Sequence, residues 1–141
     1  MKRTANAHWN GNLKEGKGNI STQSTVLANT QYSFNARFAD GPGTNPEELL
    51  GASHAGCFTM ALSAALTQAG FTAGDLDTKA TVELDPSIPG ITGITLDLVA
   101  AAIPGVSEEQ FNAIAKGAKE NCPISKALAA TPITLNVTYK A

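Results

Sequence analysis

The sequence predicts an α+β fold with a mainly antiparallel sheet, and three observations carry that expectation. Short segments of alternating apolar and polar residues lie at both ends of the chain and in its middle. One long helix-forming run carries no charge over most of its length. Strands and helices do not alternate in the regular βαβ manner, so a parallel, doubly wound sheet is not expected. With 141 residues, 43% of them apolar, the chain can bury a sizeable core, and no linker, repeat or low-complexity tract divides it. A single domain over 1–141 is therefore expected.

Taken in order, Ala5 to Leu13 reads as a strand running into the turn-favouring Asn10-Gly11-Asn12. Lys17 to Thr25 and Gln31 to Ala39 read as two more. In the latter, Tyr32, Phe34, Ala36 and Phe38 alternate with Ser33, Asn35, Arg37 and Ala39, which places Arg37 on the largely polar face. Asp40-Gly41-Pro42-Gly43 breaks the sheet. Thr44 or Asn45 can cap a helix with Pro46 at its first position and Glu47 and Glu48 in its first turn. That helix is expected to reach Ala69, with Gly70 as its stop.

Asp77 to Asp85 and the more apolar Ile91 to Ile103 read as strands joined by a turn at 86–90. Ser107 and Gln110 form a capping box for a helix ending near Asn121. A short helix from Pro123 to Ala130 and a last strand, Ile133 to Tyr139, complete the order βββ-α-ββ-α-α-β.

Formal net charge is −2 and no basic stripe is visible, so neither nucleic acid nor an anionic membrane surface is an expected partner. Leu49 to Gly74 holds no Asp, Glu, Lys or Arg and is long enough to span a bilayer. It also carries Ser53, His54, Thr59, Ser63, Thr67, Gln68 and four glycines, which favours a helix of a soluble protein buried on most sides. The first residues lack the apolar core of a signal peptide, and a cytoplasmic location is expected. Thiols are kept reduced there, so a structural disulfide is a poor explanation for the cysteines.

Those cysteines, Cys57 and Cys122, carry most of the chemistry in the sequence. Cys122 precedes Pro123 at a helix start, where free N–H groups and the helix dipole favour thiolate. Cys57 lies mid-helix, three residues after His54, which reads either as a base or, more commonly, as a satisfied core histidine. His54, Cys57 and Cys122 could supply three metal ligands, but no CxxC, HxxxH or HExxH spacing occurs, and His8 is isolated. There is no GxGxxG or P-loop, so no phosphate-bearing cofactor is expected.

A cysteine attacking an electrophile needs a cation and a hydrogen-bond donor nearby. Arg37 is the best candidate, and Glu47 could hold its guanidinium through a bidentate pair. Glu47 and Cys57 are ten residues apart, ~15 Å of rise on a straight helix. The two can serve one site only if the helix bends, as at Gly51, or if a partner chain completes it. Steps of about 100° favour Glu47 over Glu48, which falls on the face opposite Cys57.

Asn45-Pro46-Glu47-Glu48-Leu49, Ala55-Gly56-Cys57-Phe58 and Asn121-Cys122-Pro123-Ile124-Ser125 together resemble the OsmC/Ohr family of osmotically inducible and organic-hydroperoxide-resistance proteins. Ala7-His8-Trp9, Gly16-Lys17-Gly18 and the stretch from Tyr32 to Phe38 extend the likeness over essentially the whole chain and favour the OsmC branch. The resemblance implies an intertwined homodimer with sheets wrapped around long central helices. It implies a thiol peroxidase active on organic and, more weakly, hydrogen peroxide, reduced by an external dithiol and needing no cofactor. By the same likeness Cys57 matches the peroxidatic cysteine, Cys122 the resolving one, and Arg37 and Glu47 the pair that positions the thiolate. Phe58 and Met60 are expected to give the site its apolar character. Without the family, a redox-sensing or apolar-ligand-binding dimer remains the alternative.

Overall fold

The structure is a computed structural model that describes residues Met1 to Lys140. It comprises two compact units, one from Met1 to Leu49 and one from Leu50 onward.

The first unit contains a three-stranded antiparallel sheet of β1 (Ala5–Asn10), β2 (Lys17–Thr22) and β3 (Thr30–Tyr32), in that order. Gly18 pairs with Trp9 on one side and Tyr32 on the other. The two rings come together at 5.4 Å between centroids over this residue, and a side chain at position 18 would collide with both. That close approach is why a glycine stands mid-strand.

The expected third strand, Gln31 to Ala39, is corrected: the chain leaves the sheet at Tyr32 and forms a short helix, α1 (Phe34–Phe38). Ser33 caps it, its hydroxyl accepting from the Ala36 N–H at 3.1 Å. The alternation misleads here for a geometric reason. Residues four apart share a face both in a strand and in a helix. Phe34 and Phe38 accordingly meet at 4.8 Å between ring centroids on one side of a helical turn. Arg37 therefore projects from a helix, not a strand.

Asn45 caps the long helix α2 (Pro46–Gln68), accepting from the Glu48 N–H at 2.8 Å, while the Thr44 hydroxyl donates to the Glu48 carboxylate at 2.7 Å. Of the two expected candidates Asn45 is the cap, and Thr44 holds the Glu48 side chain instead. Gly70, with φ +88°, ends the helix as a left-handed residue.

In the second unit β4 (Leu76–Asp85) and β5 (Gly90–Ala101) form an antiparallel hairpin. α3 (Glu108–Asn121) and α4 (Pro123–Ala127) carry the chain back so that β6 (Ile133–Lys140) joins β5 in parallel. Three of the four strand pairings are antiparallel, as the sequence suggests. The fourth is parallel because a helical crossover, not a turn, connects its strands. Ser107 caps α3 as expected, and α4 stops at Ala127, short of Ala130.

The core of this unit is a set of facing stripes. α2 buries Gly51, His54, Phe58, Leu62 and Leu66; β5 buries Ile94, Leu96, Leu98 and Ala100; α3 buries Phe111, Ala115 and Ala118, with Cys122 next in line. Helical spacing of three or four and strand spacing of two put each set on one side. Tyr139 closes the far end. Its ring stacks on Phe111 at 4.3 Å, and its hydroxyl accepts from the Ile103 N–H at 2.6 Å and donates to the Val106 carbonyl at 3.1 Å.

α2 is not buried on most sides in the single chain, which corrects that expectation. Only the one stripe is covered. Ala52, Ser53, Gly56, Met60 and Ala64 are exposed on the rest of the helix, Met60 at 75%.

Leu62→Ala is expected to lower the unfolding free energy by about 2–5 kcal/mol, since it leaves a hole in this closed core. Ser107→Ala should cost about 1 kcal/mol, the loss of one cap. Urea denaturation of both variants, compared at one protein concentration, checks the difference.

Candidate active site

Four residues stand out in the sequence, and the structure joins them as two pairs. In the first unit Arg37, on α1, meets Glu47, in the first turn of α2. Arg37 Nη2 donates to Glu47 Oε1 at 2.8 Å, and Nε reaches Oε1 and Oε2 at 3.1 and 3.2 Å. The neighbouring glutamate is occupied at the helix cap by Thr44, which leaves Glu47 as the arginine's partner. The Glu47 side chain is 12% exposed and that of Arg37 39%. A carboxylate this enclosed fixes the plane of the guanidinium more than it stabilises the fold. The Phe38 ring lies 5.2 Å from the guanidinium carbon and limits it from another side.

An apolar cavity of about 250 Å³ opens beside this pair, lined chiefly by Trp9, Leu13, Tyr32, Phe34, Arg37 and Phe38. Phe58 and Met60, the apolar lining expected from sequence, do not contribute to it. Phe58 belongs to the buried stripe of α2 and is fully enclosed in the core, and Met60 is exposed.

In the second unit Cys57 Sγ and Cys122 Sγ stand 3.0 Å apart, both as free thiols. Cys57 follows from the register of α2: one residue before the buried Phe58, it falls at the edge of the stripe and is half-buried. Cys122 is fully buried at the junction of α3 and α4. A bonded pair of sulfurs lies about 2 Å apart, so a shift of about 1 Å would join them.

The two thiols titrate as a pair, because whichever is thiolate receives a hydrogen bond from the other. Burial raises Cys122, but its hydrogen bond with Cys57 and the polar groups of Ser125 and Ile124 at the start of α4 outweigh it and bring its pKa below the ordinary value. Burial raises Cys57, and the hydrogen bond and charge of Cys122 raise it further, against only the Ile124 N–H in the other direction. Cys122 is thus the more acidic thiol, as its place before a helix suggests. Cys57 is the one a solute can reach.

His54 is fully buried, with Nε2 2.8 Å from Ser125 Oγ, while Nδ1 has no hydrogen-bond partner among the described residues. Burial lowers its pKa, keeping the ring neutral. His54 is therefore a core histidine satisfied at one nitrogen only. Sequence reasoning named Ser125 only within the Cys122 motif and did not pair it with His54, from which 71 residues separate it. His8 is exposed on β1. Among the described residues no group of three or more His, Cys, Asp or Glu side chains is placed to hold a metal ion.

Residues 39–138 match the family model for OsmC-like proteins. The chain is 48% identical to the peroxiredoxin OsmC of Escherichia coli (strain K12), over all of this chain and 99% of that one. It is 32% identical to the organic hydroperoxide resistance protein of Xanthomonas axonopodis pv. citri, covering 88% of this chain and 85% of that one. The crystal structure of the organic hydroperoxide resistance protein OhrB of Bacillus subtilis superposes with a TM-score of 0.69 at 27% identity, over 96% of this chain and 98% of that one. On these matches, and on a fold of small sheets and helices shared with the OsmC and Ohr structures, the chain belongs to the OsmC-like family.

Proposed function

We propose that this protein is a cysteine-based peroxidase of the cytoplasm, active on organic hydroperoxides and more weakly on hydrogen peroxide, that serves in oxidative and osmotic stress defence. The observation that carries this reading is the pairing of a reachable thiol with a buried one at 3.0 Å. The names of the relatives, a peroxiredoxin and an organic hydroperoxide resistance protein, point the same way.

The Cys57 thiolate attacks the outer oxygen of the hydroperoxide. The O–O bond breaks, the alkoxide takes a proton and leaves as the alcohol, and Cys57 becomes a sulfenic acid. The Cys122 thiolate then attacks that sulfur, the S–O bond breaks, and the departing hydroxide is protonated to water. An external dithiol reduces the resulting Cys57–Cys122 disulfide. The buried Cys122 is the wrong thiol for the first step despite its acidity and a suitable one for the second.

Among the described residues of its own unit, no cation offsets the raised pKa of Cys57. We assign that duty to Arg37, clamped by Glu47, and the alkyl group of the substrate to the aromatic cavity beside it. Ten residues along α2 separate Glu47 from Cys57, ~15 Å of rise. The proposed site is therefore made by a homodimer in which one protomer's Arg37–Glu47 pair serves its partner's thiol. The exposed, uncharged face of α2, with Ala52, Gly56, Met60 and Ala64, supports a helix-to-helix contact between copies.

Multiple turnovers of cumene hydroperoxide with a dithiol, faster than those of hydrogen peroxide and abolished by Cys57→Ser, are expected. A single stoichiometric oxidation would leave the sensing module. Removing a cation raises a thiol pKa, so Arg37→Ala should move the pH midpoint of attack upward by about 1–3 units. Its rate at pH 7 should fall about tenfold per unit. Mixing Arg37→Ala with Cys57→Ser protein under conditions that exchange protomers should restore part of the turnover lost in each. No recovery would place all four residues of a working site on one chain.

A further inference from the structure

Beside the two sulfurs lies a second contact between the same two helices, and it has no part in the chemistry above. His54 and Cys57 are one turn apart on α2, and Cys122 and Ser125 are one turn apart at the start of α4. Their side chains meet as two rungs: Sγ to Sγ at 3.0 Å, and His54 Nε2 to Ser125 Oγ at 2.8 Å. His54 is fully buried and Ser125 is 6% exposed, so water does not compete for the second rung. Among the described residues these rungs are the only hydrogen bonds joining a side chain of α2 to one of α4. No side chain caps α4, and the apolar contacts of Ile124 and Leu128 press it on the core without fixing its register.

The sulfur rung cannot hold its own geometry through a reaction cycle, because it is the contact that the reaction consumes. Once Cys57 carries a leaving group, the thiol-to-thiol contact is gone and an extra atom must fit at its sulfur. We infer that His54 and Ser125 are positioning residues for disulfide closure: their buried hydrogen bond keeps α4 in register with α2, and so keeps Cys122 within reach of Cys57, while the sulfur contact is interrupted. For its purpose this role rests on the peroxidase reading, but the clamp acts on any disulfide formed between these thiols. In the peroxidase the interruption is the sulfenic acid. The Cys122 thiolate bonds to the Cys57 sulfur, the S–O bond breaks, and hydroxide leaves and is protonated to water. With glutathione disulfide as oxidant it is the Cys57–glutathione mixed disulfide, whose S–S bond breaks as glutathione departs as thiolate. Neither step passes a proton through His54 or Ser125.

The test compares His54→Leu, Ser125→Ala, the double variant, and His54→Gln, whose side-chain amide can stand where Nε2 stood. Each single deletion leaves one buried polar partner unpaired and should lower stability, whereas the double variant removes both and should recover most of it. The first measurement is the equilibrium of the Cys57–Cys122 disulfide with a glutathione redox buffer, which gives the effective concentration of one thiol at the other without any peroxide. It should fall roughly tenfold to a hundredfold in both single deletions and remain as low in the double variant. The glutamine variant should stay near the parent. An effective concentration that recovers with stability in the double variant would overturn the inference, as would equal losses for leucine and glutamine or no loss at all. The second measurement adds one equivalent of cumene hydroperoxide in the presence of dimedone. Sulfenic acid trapped on Cys57 should outlast the parent's in the three deletion variants, and parent-like trapping would overturn the role in closure. Lowered effective concentrations with no sulfenic acid in any of the proteins would count against the peroxidase reading and leave the clamp standing.

Discussion

Cys57 and Cys122 are held together by the contact between the apolar stripe of α2 and the facing stripes of β5 and α3. Phe58, Leu62 and Leu66 fix the rotation of α2 about its axis, because any other rotation would expose them. That rotation sets Cys57 at the margin of the core and His54 inside it. On α3 the residues Phe111, Ala115, Ala118 and Cys122 follow one another at spacings of four, three and four, so the second thiol is the last member of a packing series. Placing the sulfurs 3.0 Å apart therefore needs no dedicated loop or bound ion; it follows from closing the core. A substitution that lets α2 roll would separate the thiols before it unfolded the unit.

This origin explains the different settings of the two sulfurs. Burial and acidity both fall to Cys122, which ends a core stripe and begins a helix. Access falls to Cys57, together with a raised pKa that its own surroundings do not correct. A peroxidase built on this unit needs a cation from outside it. The first unit carries a guanidinium with its orientation already fixed by a carboxylate and an aromatic ring, beside an apolar cavity. The exposed face of α2 is uncharged, and the proposed dimer uses it to bring that guanidinium to a partner's thiol.

Much of this was legible in the residues because local physics decided it. Asn45, Pro46 and Gly70 marked the bounds of α2, Ser107 opened α3, and strict alternation marked β4 and β6. Where the pattern served two structures equally, reading failed. Phe34 and Phe38 share a face in either a strand or a helix, and the cap formed by Ser33 settled the matter. The parallel pairing of β5 with β6 was hidden because a crossover, not a turn signal, determines it. Arg37 and Glu47 could be nominated from charge and helix position, whereas the His54–Ser125 contact joins distant segments that carry no mutual signature. The roles of the cysteines came from family likeness; local propensity alone favoured Cys122.

The central claim is that peroxide oxidises this pair within one chain, beginning at Cys57. Its most direct test is mass spectrometry of the reduced protein after one equivalent of cumene hydroperoxide, followed by peptide mapping under non-reducing conditions. The account predicts loss of two hydrogens per chain, a single linked peptide pair containing Cys57 and Cys122, and, in Cys122→Ser protein, a sulfenic acid trapped on Cys57. Unmodified thiols, disulfides between chains, or a sulfenic acid trapped on Cys122 in Cys57→Ser protein at the same rate would contradict it.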